Sequence, residues 1–217
     1  MTPRTASDIV AVHVLKRMAS ASPAPIKPAP HRPEDWILAG FSRLAREGVD
    51  SVRVEVLCRD LGVSKGSFYW HFRDREELLG AMIAHWENEE AAWVSAAALS
   101  NESAASRWAR LVEHCADRER GKLEAGLRSW ARRENRVAAK LAAIERDRTA
   151  YIARIMRDVG FTAPAAEKWS HVAMLVCLGW ADWATRDAEF IGAGRGLGEF
   201  LSDLLLAASG QPRAIQN

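Results

Sequence analysis

Six neighbouring positions between residues 65 and 71 combine a cation, hydroxyl groups and aromatic rings in a way that suits binding to a polyanion. They are Lys65, Gly66, Ser67, Tyr69, Trp70 and His71. Lys65 and Ser67 could reach base edges or phosphates, and Tyr69 and His71 carry donors suited to phosphate oxygens. Gly66 permits close approach, whereas Trp70 could contact a thymine methyl group, touch sugar edges or pack on protein. These residues indicate a face that binds double-stranded DNA; a surface turn between packed helices is the alternative.

Two short helices joined by a tight turn are predicted to position these side chains. Leu57 and Leu61 are four residues apart and share one helical face, as do Phe68 and Phe72. Gly62 supplies the left-handed backbone that ends the first helix. With the apolar pairs inward, the cation, hydroxyl and aromatic groups face outward. This is the geometry of a helix-turn-helix.

The run that begins at Gly62 and continues through Arg73-Asp74-Arg75-Glu76-Glu77-Leu78-Leu79 resembles the DNA-binding signature of TetR-type transcriptional regulators. The resemblance covers roughly residues 33–79. It implies that Tyr69, His71 and Arg75, which follows the Asp74 cap, contact the DNA backbone, while the start of the short helix reads bases. Arg75 stands where the family usually has lysine. The DNA-binding set predicted from motif and resemblance is Arg53, Ser64, Lys65, Gly66, Ser67, Tyr69, Trp70, His71 and Arg75.

Departures from the family pattern bear on which operator is read. Leu44 replaces a phenylalanine that is usual in the first helix, and Arg53 and Glu55 stand near the start of the second. These changes are compatible with the fold but leave the operator sequence open. Residues 34–80 hold seven Lys or Arg against nine Asp or Glu, so positive charge has to be concentrated on one face.

Length and composition predict a globular protein with a sizeable core. The chain has 217 residues, 48% of them hydrophobic, and no apolar run approaches the roughly 20 residues of a membrane helix. The amino terminus lacks a convincing secretory signal, because charged and titratable residues interrupt its short apolar run. Three scattered cysteines, Cys58, Cys115 and Cys177, favour neither a disulfide framework nor a metal site. We therefore expect a cytoplasmic protein that needs no membrane, metal or cofactor.

Composition and the predicted helix boundaries divide the chain into four parts. Residues 1–32 are a Pro- and Ala-rich basic arm, either a disordered tail or an addition to DNA binding through phosphates or the minor groove. Residues 33–79 are the DNA-binding domain, 80–210 a helical effector-binding and dimerisation domain, and 211–217 a tail.

Hydrophobic periodicity predicts an all-α fold of about nine helices. No stretch shows convincing strand alternation. The predicted helices are Pro33–Glu47, Val54–Leu61, Lys65–Phe72, Asp74 to about Ala98, Asn101–Arg118, Lys122–Arg133, Asn135–Val159, Ala165–Arg186 and Gly198–Ala208.

The last two predicted helices carry more apolar surface than one neighbour would cover. We expect a homodimer interface there, with an ordinary monomer core as the alternative. A two-fold dimer predicts a palindromic operator, and the resemblance implies pairing of these helices into a four-helix bundle. The predicted interface residues are Trp169, Val172, Val176, Trp180, Trp183, Phe200, Leu201 and Leu204.

The middle helices place aromatic residues and a few polar groups on inward faces. Such a lining suits a small molecule, and the resemblance implies an effector held among helices four to eight that releases the protein from DNA. The alternatives are core packing for the tryptophans and mutual pairing for Glu90 and Arg148. The predicted effector residues are Trp86, Glu90, Trp93, Trp108, His114, Trp130, Arg148 and Tyr151.

Two other functional classes find little support in the sequence. His85 and Glu89 lie one helical turn apart but complete no ligand set, and the glycine-rich run 192–198 follows no strand. An enzyme is therefore not expected. The remaining alternative is a helical scaffold that binds protein and does not read DNA.

Overall fold

The predicted all-α fold is confirmed. A computed structural model describes residues 32–186, 196–199 and 201–203, and regular secondary structure in these ranges is helical throughout. A 3-10 turn spans Val49–Ser51, and residues 197–199 and 201–203 are also helical. The α-helices are α1 Pro33–Glu47, α2 Val54–Leu61, α3 Lys65–Tyr69, α4 Arg75–Leu99, α5 Ala104–Ala116, α6 Arg118–Ala131, α7 Asn135–Asp158 and α8 Ala163–Arg186.

The boundary between α5 and α6 differs from the prediction because of a capping residue. Asp117 accepts a hydrogen bond from the backbone N–H of Arg120 and starts α6 at Arg118, whereas Lys122 was predicted. Ser103 caps α5 in the same way through Ser106. Helix α3 ends at Tyr69, and the chain then tightens: the N–H of His71 donates to the carbonyl of Phe68, three residues back, at 2.9 Å. The predicted extension of this helix to Phe72 is therefore wrong.

One apolar core joins helices α1 to α3 to the middle of the chain. Trp36, Leu57, Phe68 and Met82 are fully buried in it, together with Leu127 of α6. Residues of α7 complete the cluster. Helices α1 to α3 therefore have no separate core in the described chain, and α6 packs against them.

A second core occupies the far half of the helical bundle. It contains Trp108 and Leu111 of α5, Ile152 and Ile155 of α7, and Cys177 of α8. Helix α4 runs from the first core to the second over 25 residues and thereby links them. Within the described ranges, no helix is both long and apolar enough to cross a membrane.

Candidate functional site

The helix-turn-helix forms as predicted. Gly62 has φ 69° and ψ 32°, the left-handed conformation that ends α2, and the N–H of Val63 returns to the carbonyl of Cys58 at 2.9 Å. Phe68 is fully buried and meets Trp36 edge-on at 5.3 Å. Ser64 occupies the N-cap position of α3, but its side chain makes no capping hydrogen bond. The short helix is thus fixed mainly by its apolar face.

The outer face of α3 is as open as the sequence predicted. Trp70 is 85% exposed and Tyr69 is 57% exposed, although large aromatic side chains are usually covered. Trp70 therefore does not pack into the described part of this chain. Lys65 and Gly66 are also exposed, while Ser67 and His71 are half-buried.

An ion pair that the sequence did not predict lies on this face. Nζ of Lys65 lies 2.7 Å from Oε1 of Glu55, the second residue of α2. The hydrogen bond from Lys65 lowers the pKa of Glu55, and the same bond raises the pKa of Lys65. The two residues are ten positions apart across the turn, so no helical spacing reveals the pairing. Arg53, at the N-cap of α2, is exposed nearby in sequence.

Arg75 opens α4 and fastens it to the loop before α2. Its Nε donates to the carbonyl of Val52 at 2.6 Å and its Nη2 to the carbonyl of Val49 at 2.8 Å, while Nη1 faces Glu76. Asp74 caps the same helix through the N–H of Glu77. In this arrangement Arg75 orients α4; the backbone-phosphate contact implied by the family resemblance remains a prediction.

A buried charge network joins α4, α6 and α7. Arg148 donates to Glu90 through Nη2 at 2.6 Å and Nε at 3.0 Å, and to Glu124 at 2.8 Å. Arg120 pairs with both carboxylates, and Arg128 reaches Glu124 at 3.3 Å. Burial opposes ionisation of Glu124, but Arg148 and then Arg120 outweigh it and hold the pKa of Glu124 well below its usual range. The alternative that Glu90 and Arg148 pair with each other therefore holds in the structure.

Beside this network lies a stack of aromatic rings. His114 stacks on Trp93 with ring centroids 4.0 Å apart, and Tyr151 meets Trp93 edge-on at 5.8 Å. Burial, with Arg120 and Arg148 nearby, lowers the pKa of His114 to about 2, so the ring is neutral at pH 7. Nε2 of His114 and the hydroxyl of Tyr151 are buried and have no hydrogen-bond partner among the described residues.

Two spaces adjoin the stack and the network. A small cavity of about 30 Å³ is lined by Trp93, His114 and Arg148 together with Cys115 and Cys177. A more open groove of about 430 Å³ runs between α4 and α7, with Glu90 and Tyr151 on its wall. Five of the eight predicted effector residues thus lie at one of these spaces. Trp86 and Trp130 pack in the first core and Trp108 in the second.

One face of α8 remains partly uncovered. Leu175 is 69% and Trp183 48% exposed. The remaining predicted interface residues of this helix are half-buried: Trp169, Val172, Val176 and Trp180. Leu201 is fully buried in the second core, whereas the predictions for Phe200 and Leu204 lie outside the described residues. As for metals, no three His, Cys, Asp or Glu of the described chain are grouped to hold an ion.

Sequence comparison matches the helix-turn-helix region to known regulators. The family described as bacterial regulatory proteins, tetR family, matches residues 37–82. The HTH-type transcriptional repressor Rv1353c of Mycobacterium tuberculosis is 38% identical over 50 residues, and so is an uncharacterised HTH-type regulator of Mycobacterium bovis. Each match covers 23% of this chain and 19% of the relative.

Structural comparison extends the likeness of fold to most of the chain. A transcriptional regulator from Rhodococcus sp. Rha1 superposes with a TM-score of 0.63 at 18% identity, over 83% of this chain and 95% of that one. A protein from Saccharomonospora viridis, assigned as a transcriptional regulator and crystallised with choline, gives 0.64 at 15% identity over 81% and 93%. An all-α fold with an amino-terminal helix-turn-helix defines the class. Residues 37–82 carry the sequence match to the tetR family of bacterial regulatory proteins, and over the rest of the described chain the likeness to the solved structures is one of fold.

Proposed function

We propose that this protein is a transcriptional repressor that binds a palindromic operator as a homodimer. The observation that carries the proposal is the open face of α3, where Tyr69 and Trp70 are exposed beside Lys65 at the start of a short helix held by Gly62. Exposed aromatic rings next to a cation are costly to leave in water and suit the grooves and backbone of DNA. The names of the curated relatives support repression as the output.

The homodimer rests on the uncovered face of α8. Leu175, Trp180 and Trp183 add apolar surface to a helix whose other side is already packed against α7. Pairing this face with a second copy would remove that surface from water. Two copies would then present their α3 helices to successive major grooves, with half-sites roughly 34–36 Å apart or a multiple of that spacing.

The proposed effector site is the groove between α4 and α7. A volume of about 430 Å³ falls in the range of small-molecule sites, whereas the 30 Å³ cavity holds only about two water molecules. The unpartnered hydroxyl of Tyr151 and the apolar side chains of Val94 and Ile144 on the groove wall suit an aromatic or hydrophobic effector with one polar group. The choline bound to the Saccharomonospora viridis protein supports the idea that this fold accommodates a small ligand.

Release from DNA is proposed to follow from a population shift. An effector that binds better to a different position of α4 would favour that position and weaken operator binding. Because coupling is reciprocal, operator DNA must then weaken effector binding by the same factor. Equal effector affinity with and without operator would contradict this mechanism.

Selection of bound sequences from random DNA, at near-physiological salt, tests the proposed function. We expect a palindrome for the wild-type protein, and weaker binding to that operator in K65A and Y69A while the melting temperature and the dimer persist. A sequence-independent result for the wild-type protein, repeated after refolding without ligand, would contradict operator binding. The helical protein-binding scaffold would then be the better interpretation.

A further inference from the structure

The ion pair between Glu55 and Lys65 places an acceptor beside a donor on the face proposed to meet DNA. Their side chains are 58% and 57% exposed, and the two charged atoms lie 2.7 Å apart. Glu55 is the second residue of α2 and Lys65 the first of α3. Both side chains therefore project from the starts of the two helices that form the helix-turn-helix.

A carboxylate at this position conflicts with simple binding to phosphates. It carries the same sign of charge as the DNA backbone, and its ion pair with the ammonium group of Lys65 competes with contacts from Lys65 to phosphates. Such a group is tolerated in a DNA interface when it accepts a hydrogen bond from a base edge. In the major groove the available base donors are the amino groups of cytosine (N4) and adenine (N6).

The G·C base pair matches the pair of side chains best. Guanine presents two adjacent acceptors, O6 and N7, which suit an ammonium group, and the next position across the groove is the N4 donor of cytosine. An A·T pair places the adenine donor between single acceptors and adds the thymine methyl group, against which a carboxylate is poorly solvated. The order of donor and acceptor in Lys65 and Glu55 is therefore complementary to G·C.

We propose that Glu55 and Lys65 together read one G·C base pair in each half-site, Glu55 accepting from cytosine N4 and Lys65 donating to guanine O6 and N7. The inference rests on the proposed operator binding and adds the identity of one base pair to it. Because their charged atoms lie 2.7 Å apart, both side chains can reach neighbouring groups of a single base pair. Because the pair is exposed, exchanging the Glu55–Lys65 contact for contacts to bases is inexpensive.

The test is the sequence selection described above, carried out in parallel with wild-type protein, E55Q and E76Q. Glu76 is a matched control: it is an exposed carboxylate of the same domain, 75% exposed, and it pairs with Arg75, not with Lys65. Both variants remove one negative charge. We expect a wild-type operator with one strongly preferred G·C pair per half-site, and a drop of about 5-fold or more in that preference in E55Q alone.

In E76Q we expect affinity to change equally for all sequences, because only a charge near the backbone is lost. K65A should weaken the preference for the same base pair that E55Q affects. Melting temperatures of all the variants should match that of the wild type, because the altered side chains are exposed.

Failure of the inference and failure of the proposed function give different results. A wild-type palindrome whose base preferences are unchanged in E55Q would overturn the inference and leave the regulator intact. A uniform gain in affinity in E55Q would do the same, since Glu55 would then only repel phosphates and compete for Lys65. Relaxation of different base pairs in E55Q and K65A would also overturn it. A wild-type protein that selects no sequence overturns the proposed function itself.

Discussion

Gly126 approaches the backbone of Leu44 so closely that a β-carbon on it would lie 2.7 Å from the Leu44 carbonyl oxygen. Gly126 lies in α6 and Leu44 in α1, so this contact packs the first helix directly against the helical bundle. Glycine is required here for space, because any side chain would have to displace the main chain of α1.

G126A should therefore destabilise the protein by about 1–3 kcal/mol, the usual range for overpacking against an unyielding neighbour. The measurement is the free energy of unfolding by urea. G80A is the matched control, because its β-carbon would meet only the end of the Arg136 side chain at 3.3 Å, which can move away. An unchanged stability of G126A would mean that α1 and α6 separate easily.

Removal of one carboxylate from the buried network should be costly. Glu90 is 2% exposed and neutralises Arg148 and Arg120, so E90Q leaves buried positive charge uncompensated. We expect a loss of roughly 3–5 kcal/mol in the free energy of unfolding. E102Q, which breaks the more exposed pair between Glu102 and Arg110, should lose at most about 1 kcal/mol. Equal losses in both variants would show that the network contributes little.

Buried His114 should make the protein less stable in mild acid. Its pKa is lowered from 6.5 to about 2 in the folded state, so between these values the unfolded chain binds a proton that the folded chain does not. The contribution of His114 to the free energy of unfolding therefore declines as pH falls through 6.5, by about 2 kcal/mol between pH 7 and pH 5.

H114F, which keeps a ring against Trp93, should remove this part of the pH dependence of urea unfolding. The carboxylate of Glu89, 3.3 Å from the ring, raises the pKa of His85, so His85 acts in the opposite direction. Since His85 is present in both proteins, its effect cancels in the comparison. Identical slopes for wild type and H114F between pH 7 and pH 5 would contradict the buried neutral state.

A charge on the open face of α8 should weaken the proposed dimer. Leu175 is 69% exposed in the single chain, so L175E costs little folding energy but would bury a carboxylate in the interface. Sedimentation velocity should show a larger fraction of monomer, with a dimer dissociation constant at least about tenfold higher than that of the wild type. V159E is the control, because Val159 is 53% exposed at the end of α7, away from this face. A monomeric wild type, or an unaffected L175E, would remove α8 as the interface.

The local part of the fold could be predicted from the sequence because its signals lie within one or two helical turns. Leu57 and Phe68 are buried as their spacing indicated, and Gly62 takes the left-handed conformation. The start of α6 differs from the prediction because Asp117 caps this helix, whereas the sequence prediction places Asp117 within the preceding helix.

Long-range neighbours could not be predicted with the same success. Periodicity indicates that Trp86 and Trp130 face inward, but not which of two cores they enter, and both lie in the first core. The pairing of Glu55 with Lys65 depends on the angle between α2 and α3, which no single-helix pattern encodes. Likewise, the volumes of the cavity and the groove depend on how the helices of the bundle pack together.

The length of α4 gives the network at Glu90 mechanical leverage over the other end of the helix. Arg75 and Glu90 are fifteen residues apart on one continuous helix, a distance of about 22 Å along its axis. A tilt of about 5° pivoting at Glu90 would therefore move Arg75 by about 2 Å. Arg75 donates hydrogen bonds to the carbonyls of Val49 and Val52, so such a displacement would also move the loop that precedes α2. A rotation of only a few degrees at the contact between Arg148 and Glu90 would thus become a displacement of ångström size at Arg75.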